Sequence, residues 1–211
     1  MLVYVATTNA GKLAEMEALF AGAPLRLATF EGYRSPLEGD VSYADNAALK
    51  ARALRAQLLH AGEHAAVLAD DSGLEVRALD GRPGVLTAYY GGADVSWSER
   101  RCALIAEVDA AGSPDRAARF VCALHFIAAD GRELGAFATV DGEIAREERG
   151  ELGFSFDPLF FYAPAGGTFA EMTAAQKNAV SHRAIAAAGL LAELRRSGIL
   201  PQTEPSEARA Q

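Results

Sequence analysis

Leu68-Ala69-Asp70-Asp71-Ser72-Gly73-Leu74 is the stretch on which the reading of the chain turns. An apolar run, Ala65 to Ala69, leads into two adjacent carboxylates, a hydroxyl and a glycine. That is the pattern of a strand end handing hard oxygen ligands to a metal or a water. Asp-Asp-Ser-Gly is also ordinary turn chemistry, so alone the stretch reads as a surface turn after a strand. The segments before and after it decide between the two.

Upstream, Leu2 to Ala6 is a short β-branched and aromatic run. It passes through Thr7-Thr8-Asn9-Ala10-Gly11-Lys12 into a helical pattern with Leu13, Met16, Leu19 and Phe20 on one stripe. Free amides at a helix start, joined by hydroxyls and an ammonium, suit a phosphate chain. The loop lacks the first glycine of a Walker A motif, and Leu13 stands where Ser or Thr would hold magnesium, so a capped helix with a solvated lysine stays open beside the anion site. Arg26 to Asp40 reads as an extended segment and loop without assigned chemistry. Ser42-Tyr43-Ala44-Asp45 has the form of a capping box, and its helix is expected to bury Ala47, Ala51, Leu54 and Leu58. Asn46 and Lys50, four apart, share another face of that helix.

Downstream, Gly81 to Val85 is a tight loop, and Tyr89-Tyr90-Gly91-Gly92 is a turn expected to pack rather than react. Ser96-Trp97-Ser98-Glu99 opens a helix with Leu104, Ile105 and Val108 inward. Arg119 to Ile127 is apolar on both faces, the mark of a central strand, and His125 within it reads as a satisfied residue rather than a ligand. Asp130-Gly131 predicts a hairpin into a strand over Leu134 to Val140, and Asp141-Gly142 predicts a second turn of the same kind. In Gly153-Phe154-Ser155-Phe156-Asp157-Pro158, aromatics beside a glycine and a carboxylate suit a planar ring that donates from its edge; an aromatic core strand ending at Pro158 fits as well. Lys177 to Arg183 adds three potential cations, Lys177, His182 and Arg183. Ser181 is placed as N-cap of a last helix whose stripe reads Ala184, Ile185, Ala188, Leu191 and Leu194. Strand-helix alternation at the start and hairpins later predict an α/β fold, a mixed sheet flanked by helices. One domain is expected over residues 1–200, with a polar, disordered tail over 201–211.

At 211 residues, half of them hydrophobic, the chain can bury a full core. Cys102 and Cys122 lack metal or disulfide spacing and are expected as reduced core residues. No apolar run approaches the roughly eighteen residues that span a bilayer, so a cytoplasmic protein is expected. A net charge of −8 opposes broad contact with a nucleic-acid backbone but leaves room for a small phosphorylated ligand.

Taken together, Thr7 to Lys12, Asp45-Asn46-Ala47 with Lys50, Ala69 to Leu74, Gly153-Phe154 with Asp157-Pro158, and Ser181-His182-Arg183 resemble the inosine/xanthosine triphosphate pyrophosphatase family in order and spacing, to about Leu200. The resemblance implies hydrolysis of dITP, ITP and XTP to the monophosphate and pyrophosphate. It also implies Mg2+ as cofactor, a homodimer, and an elongated α/β fold of two lobes with the site in the cleft between them. Carried over by position, Thr7, Thr8, Asn9, Ala10, Gly11 and Lys12 would hold the triphosphate. Asp71 would be the catalytic carboxylate and, with Asp45, a metal ligand; Ser72 would touch substrate. Phe154, Ser155, Phe156, Asp157, Lys177, His182 and Arg183 would form the base pocket. Four positions depart from the family: Asp45 stands for glutamate, Ser155-Phe156 for Gly-Tyr, and Tyr89 for arginine. A related pyrophosphatase of the septum-inhibitor type, acting on other nucleotides, and a nucleotide-binding module without turnover are the alternative readings.

Overall fold

A computed structural model describes residues 1–92 and 94–202. In chain order the elements are β1 (Leu2–Val5), α1 (Ala10–Phe20), β2 (Arg26–Ala28), α2 (Tyr43–His60), β3 (Ala66–Val76), β4 (Pro83–Gly84), α3 (Trp97–Ala110), β5 (Ala117–Ile127), β6 (Glu133–Ile144), β7 (Phe160–Tyr162), β8 (Gly167–Thr168), α4 (Ala174–Val180) and α5 (His182–Arg196). The expected mixed sheet flanked by helices is what forms, in the order β2-β1-β3-β5-β6-β7-β8 with β4 also on β3. β1 pairs parallel with β2 and β3, whereas β3, β5 and β6 are antiparallel neighbours.

Three long strands span two separate cores. On one face of β3, Ala66 and Leu68 belong to a core with Cys122, Leu124 and Phe126 of β5, closed by Met16 and Phe20 of α1 and Leu190 and Leu194 of α5. Farther along the same face, Leu74 and Val76 enter a second core with Phe120, Val140, Phe156, Phe160, Phe169 and Leu104. A strand alternates its side chains, so Asp70 and Ser72 share this face and fall between the two cores. The opposite face, Val67 and Ala69, packs on Ala51, Leu54 and Leu58 of α2.

The glycine turn expected after Asp71 does not exist. β3 runs through Ser72 and Gly73, paired residue for residue with β5 from Val67 to Val76. Gly73 is there for space: a Cβ on it would stand 2.3 Å from the Gly84 carbonyl oxygen and 2.7 Å from Thr87 Oγ1. Asp141-Gly142 is likewise no turn but the interior of β6, where a Cβ on Gly142 would come within 2.6 Å of the Phe160 ring. Asp130-Gly131 does form the β5–β6 hairpin.

The stripe expected on α5 is rotated. His182, Arg183, Ala186, Ala187, Leu190 and Leu194 are buried, while Ile185 is 49% exposed. Cys122 is buried as expected, but Cys102 lies on the exposed side of α3. The tail expected over 201–211 lies outside the described residues from position 203 onward.

Candidate active site

The edge of β3 that faces β1 and β4 is paired only at its ends. β1 covers Ala66 to Leu68, and β4 covers Leu74 and Glu75. Among the described residues, that leaves Asp70 to Gly73 without a strand partner on this side. Into the gap come the first turn of α1, the start of α5 and the Gly153–Asp157 loop.

The turn before α1 is built as a helix start with spare donors. Asn9 is the N-cap, its side chain accepting from the Lys12 amide at 3.0 Å, and Thr7 Oγ1 accepts from the Asn9 amide at 3.1 Å. The amides of Ala10 and Gly11 lie in the first turn, where no intrahelical acceptor exists. Thr8 is exposed. The Lys12 ammonium turns inward to form an ion pair with Asp70.

Because consecutive strand residues point to opposite faces, the two adjacent aspartates meet different partners. Asp70 is fully enclosed and accepts from Arg183 Nε at 3.0 Å, Ser72 Oγ at 3.1 Å and Cys122 Sγ at 3.2 Å, besides Lys12. Burial alone would raise its pKa; the Arg183 guanidinium and Lys12 ammonium outweigh it and hold the carboxyl well below the usual range. Asp71 faces α2, where Lys50 Nζ lies at 2.6 Å and Asn46 Nδ2 at 3.3 Å. Burial pushes the Asp71 carboxyl up, with the Lys50 ammonium pulling against it. The second carboxylate beside this pair is Glu38, whose Oε1 is 3.5 Å from Lys50 Nζ.

Asp45 is exposed in the first turn of α2. Its amide donates to Ser42 Oγ, but among the described residues its carboxylate returns no bond, so the expected capping box is a single cap. It adjoins Asn46, which touches Asp71, and among the described residues it makes no hydrogen bond with Asp71 itself. Glu38, which the sequence reading did not single out, stands beside Lys50 and Asp71. Among the described residues no group of three His, Cys, Asp or Glu side chains surrounds a common point.

On the far side of the gap, Lys177 and Arg183 are tied together by a residue the sequence reading passed over. Glu15, one helical turn beyond Lys12 on α1, accepts from Lys177 Nζ at 2.6 Å with one oxygen and from Arg183 Nη1 with the other. Lys177 also meets Asp157 Oδ2 at 2.5 Å, and that oxygen accepts from the Phe154 amide at 2.8 Å. Burial raises the Asp157 pKa against the pull of Lys177. The Phe154 ring lies under Lys177, 4.8 Å from its ammonium to the ring centre, and 5.8 Å from the Arg183 guanidinium. His182 is buried, stacked on Phe120 at 4.7 Å, and burial together with the neighbouring Arg183 and Lys177 charges holds its pKa well below the usual value. Of the three potential cations, this is the one whose surroundings favour the neutral form, and among the described residues its Nδ1 has no hydrogen-bond partner.

These groups enclose a cavity of ≈ 60 Å³ of water-accessible space. Asn9, Lys12, Ser72, Phe154, Ser155, Asp157, Lys177, His182 and Arg183 of the expected set all reach it. Thr7, Thr8, Ala10, Gly11, Asp45, Asp71 and Phe156 of that set are not part of its lining; Phe156 is wholly buried in the second core, edge-on to Trp97 and Tyr90. Ser155 holds a positive φ of 60°, the region glycine enters freely, and its carbonyl accepts from Arg101 at 3.0 Å. Trp97 and Thr87 also line the cavity without having been singled out. Tyr89 is 55% exposed, whereas the Tyr90 hydroxyl donates to Glu107.

A family model described as the Ham1 family matches residues 3–193. Among curated proteins, the dITP/XTP pyrophosphatase of Geobacillus kaustophilus (strain HTA426) is 42% identical over 186 residues, covering 86% of this chain and 88% of the relative. The protein of the same description from Methylibium petroleiphilum (strain ATCC BAA-1232 / LMG 22953 / PM1) is 40% identical, covering 92% and 98%. Among solved structures, a HAM1 protein from Coxiella burnetii superposes with a TM-score of 0.80 at 32% identity, covering 93% of this chain and 99% of its own. A nucleoside-triphosphatase / dITP/XTP pyrophosphatase from Mycobacterium abscessus ATCC 19977 / DSM 44196 superposes with a TM-score of 0.68 at 36% identity, covering 90% and 99%.

Proposed function

The chain belongs to the Ham1 family, and from that premise we propose the activity its geometry supports best: hydrolysis of the non-standard purine nucleoside triphosphates dITP, ITP and XTP to the monophosphate and pyrophosphate. The observation that carries the reading is the continuity of the cavity. Asn9 and Lys12 at the start of α1, Ser72 and Gly73 of β3, and a pocket walled by Phe154 with the donors Lys177 and Arg183 all open on one space; Asp70 stands directly behind it, bound to Lys12, Ser72 and Arg183, and Asp71 lies next to it in β3 on the α2 face.

In this reading the phosphates lie against Thr7 to Lys12, with the amides of the first turn as donors. Asp71 accepts the proton of the attacking water, and Lys50 and Asn46 hold that carboxylate in place. The base lies on Phe154. Arg183 is locked by Asp70, Glu15 and Ser72, which use three of its five N–H groups, one each from Nε, Nη1 and Nη2. Two donors remain for a 6-oxo group. The 6-amino group of adenine would set donor against donor, at a cost of about 1 to 3 kcal/mol.

The charges of the site argue for a divalent cation. Four cations (Lys12, Lys50, Lys177 and Arg183) are already matched by five carboxylates (Glu15, Glu38, Asp70, Asp71 and Asp157). A triphosphate therefore enters surroundings that do not neutralise it. Mg2+ asks for one or two carboxylates plus phosphate oxygens. Asp71 and Glu38, now spanned by the Lys50 ammonium as a stand-in cation, fit that demand, with Asp45 on the next helical turn as a further oxygen donor. When bound, the ion supplies Lewis acidity and neutralises the leaving pyrophosphate. A cytoplasmic homodimer of one two-lobed domain completes the proposal on the strength of the family relationship; no helix among the described residues is long and apolar enough to cross a membrane.

Pyrophosphate release from dITP, XTP, dGTP, dATP and dTTP with Mg2+ tests the proposal. Preference for dITP and XTP is expected. Preference for dTTP, or binding without release, overturns it.

A further inference from the structure

Trp97 occupies a position that the sequence motifs did not mark. It opens α3, whose start is fixed by a reciprocal capping box between Ser96 and Glu99. One side of the indole is covered by the Arg100 guanidinium, 5.3 Å from the ring centre, and Arg100 itself donates to the carbonyls of Gly92 and Val95. Its edge meets Phe156 at 5.4 Å and 87°. The indole still lines the cavity, beside Ala88 and Thr87 and in company with Phe154, Phe120 and His182. The ring is therefore held from two directions while it remains part of the wall.

Phe156 makes this placement consequential. The aromatic that the resemblance assigned to the pocket is enclosed in the second core, behind the indole. We infer that Trp97 is a substrate-contacting specificity residue, the aromatic wall that the purine base meets in place of residue 156. The inference rests on the proposed function and assigns one further contact to the same pocket. An indole offers a large apolar face for a planar base, and its N–H is a donor suited to a carbonyl acceptor such as hypoxanthine presents.

The chain has one tryptophan, so its fluorescence reports on this wall alone. Titrating the wild-type protein with inosine monophosphate should change the tryptophan emission saturably, because a purine against the indole displaces water and quenches it. Trp97→Ala should raise KM for dITP about tenfold, the size of effect that removing a ring stacked on a base produces. Trp97→Phe, which keeps a ring in the core, should stay within about threefold in KM. An emission indifferent to inosine monophosphate at concentrations that saturate turnover inhibition overturns the inference, whatever the variants do. So does a folded Trp97→Ala with wild-type KM. Turnover of dITP by the wild type is read separately. Hydrolysis with a silent indole rejects Trp97 and keeps the enzyme, whereas a responding indole without hydrolysis rejects the enzyme and keeps the pocket wall.

Discussion

Asp70 and Asp71 meet different partners because they point to opposite faces of one strand, which is the basis for proposing a structural role for one and a chemical role for the other. Asp70 is saturated by Lys12, Arg183, Ser72 and Cys122, so it holds together the lysine proposed for the phosphates and the arginine proposed for the base. Asp71 is left with Lys50 and Asn46 and with room for a proton. We expect Asp71→Asn to lower kcat by about 10² to 10⁴, the range for loss of a general base, with the fold unchanged by circular dichroism. Wild-type turnover in that variant would remove its role. Arg183→Ala should shrink the dITP over dATP preference by at least about fivefold, since the donors that oppose a 6-amino group are gone. The ratio is the quantity to measure, because the unpaired Asp70 and Glu15 left behind depress both rates alike. His182 carries a pH signature. Its pKa is depressed in the fold, so below the unfolded value the unfolded chain binds a proton that the native one refuses. Stability should fall as pH drops from 7 toward 5.5, by up to about 1.4 kcal/mol per unit, and His182→Gln should flatten that slope. Equal slopes in urea melts of the two proteins would place the proton elsewhere. Glu15 and Glu38 escaped the sequence reading for a physical reason. A carboxylate that works by bridging side chains from distant segments leaves no local spacing to read, whereas Asn46 and Lys50 were visible as an i, i+4 pair.

Among the elements, periodicity carried well where one face met one core and poorly where glycine was concerned. Ala47, Ala51, Leu54 and Leu58 on α2, and Leu104 and Val108 on α3, are buried as their spacing predicted. On α5 the stripe was read one position out, because alanines fill both sides and the deeply buried Arg183 counted as polar. Gly73 and Gly142 were read as turn residues, since a sequence does not distinguish a glycine that bends the chain from one that admits a neighbour. Both lie inside straight strands. Gly73→Ala separates the two roles. A turn glycine at a compatible φ would tolerate the change; in β3 the added methyl meets Gly84 and Thr87, and Thr87 Oγ1 is the acceptor of the Leu74 amide at 2.8 Å. A loss of about 2 kcal/mol follows from overpacking, and for a chain of this length that lowers Tm by about 4 to 8 °C. An unchanged Tm would mean that the 84–87 segment yields without cost. Dynamics enter here too, because that segment forms one wall of the cavity.

The whole molecule places its chemistry where its two cores stop. Leu68 and Leu74 enter different cores on the same face of β3, and only Asp70 and Ser72 separate them. The pocket draws α1 and α5, which close the first core, and the Gly153–Asp157 loop and Trp97, which belong with the second. Motif order along the chain was legible in sequence for this reason, while the division into cores was not, since each long strand contributes to both. A ligand in the gap therefore adds contacts to both halves at once, and it binds the native state alone. Inosine monophosphate with Mg2+ at a hundred times its Kd should add about 2.7 kcal/mol of stability, which for about 200 residues is a Tm increase of about 5 to 11 °C. Adenosine monophosphate, facing the fixed donors of Arg183 with its amino group, should give a clearly smaller increase at the same concentration. Equal shifts for the two nucleotides would show that the ligand is held by its phosphate only, and that base recognition in this fold does not run through the gap between its cores.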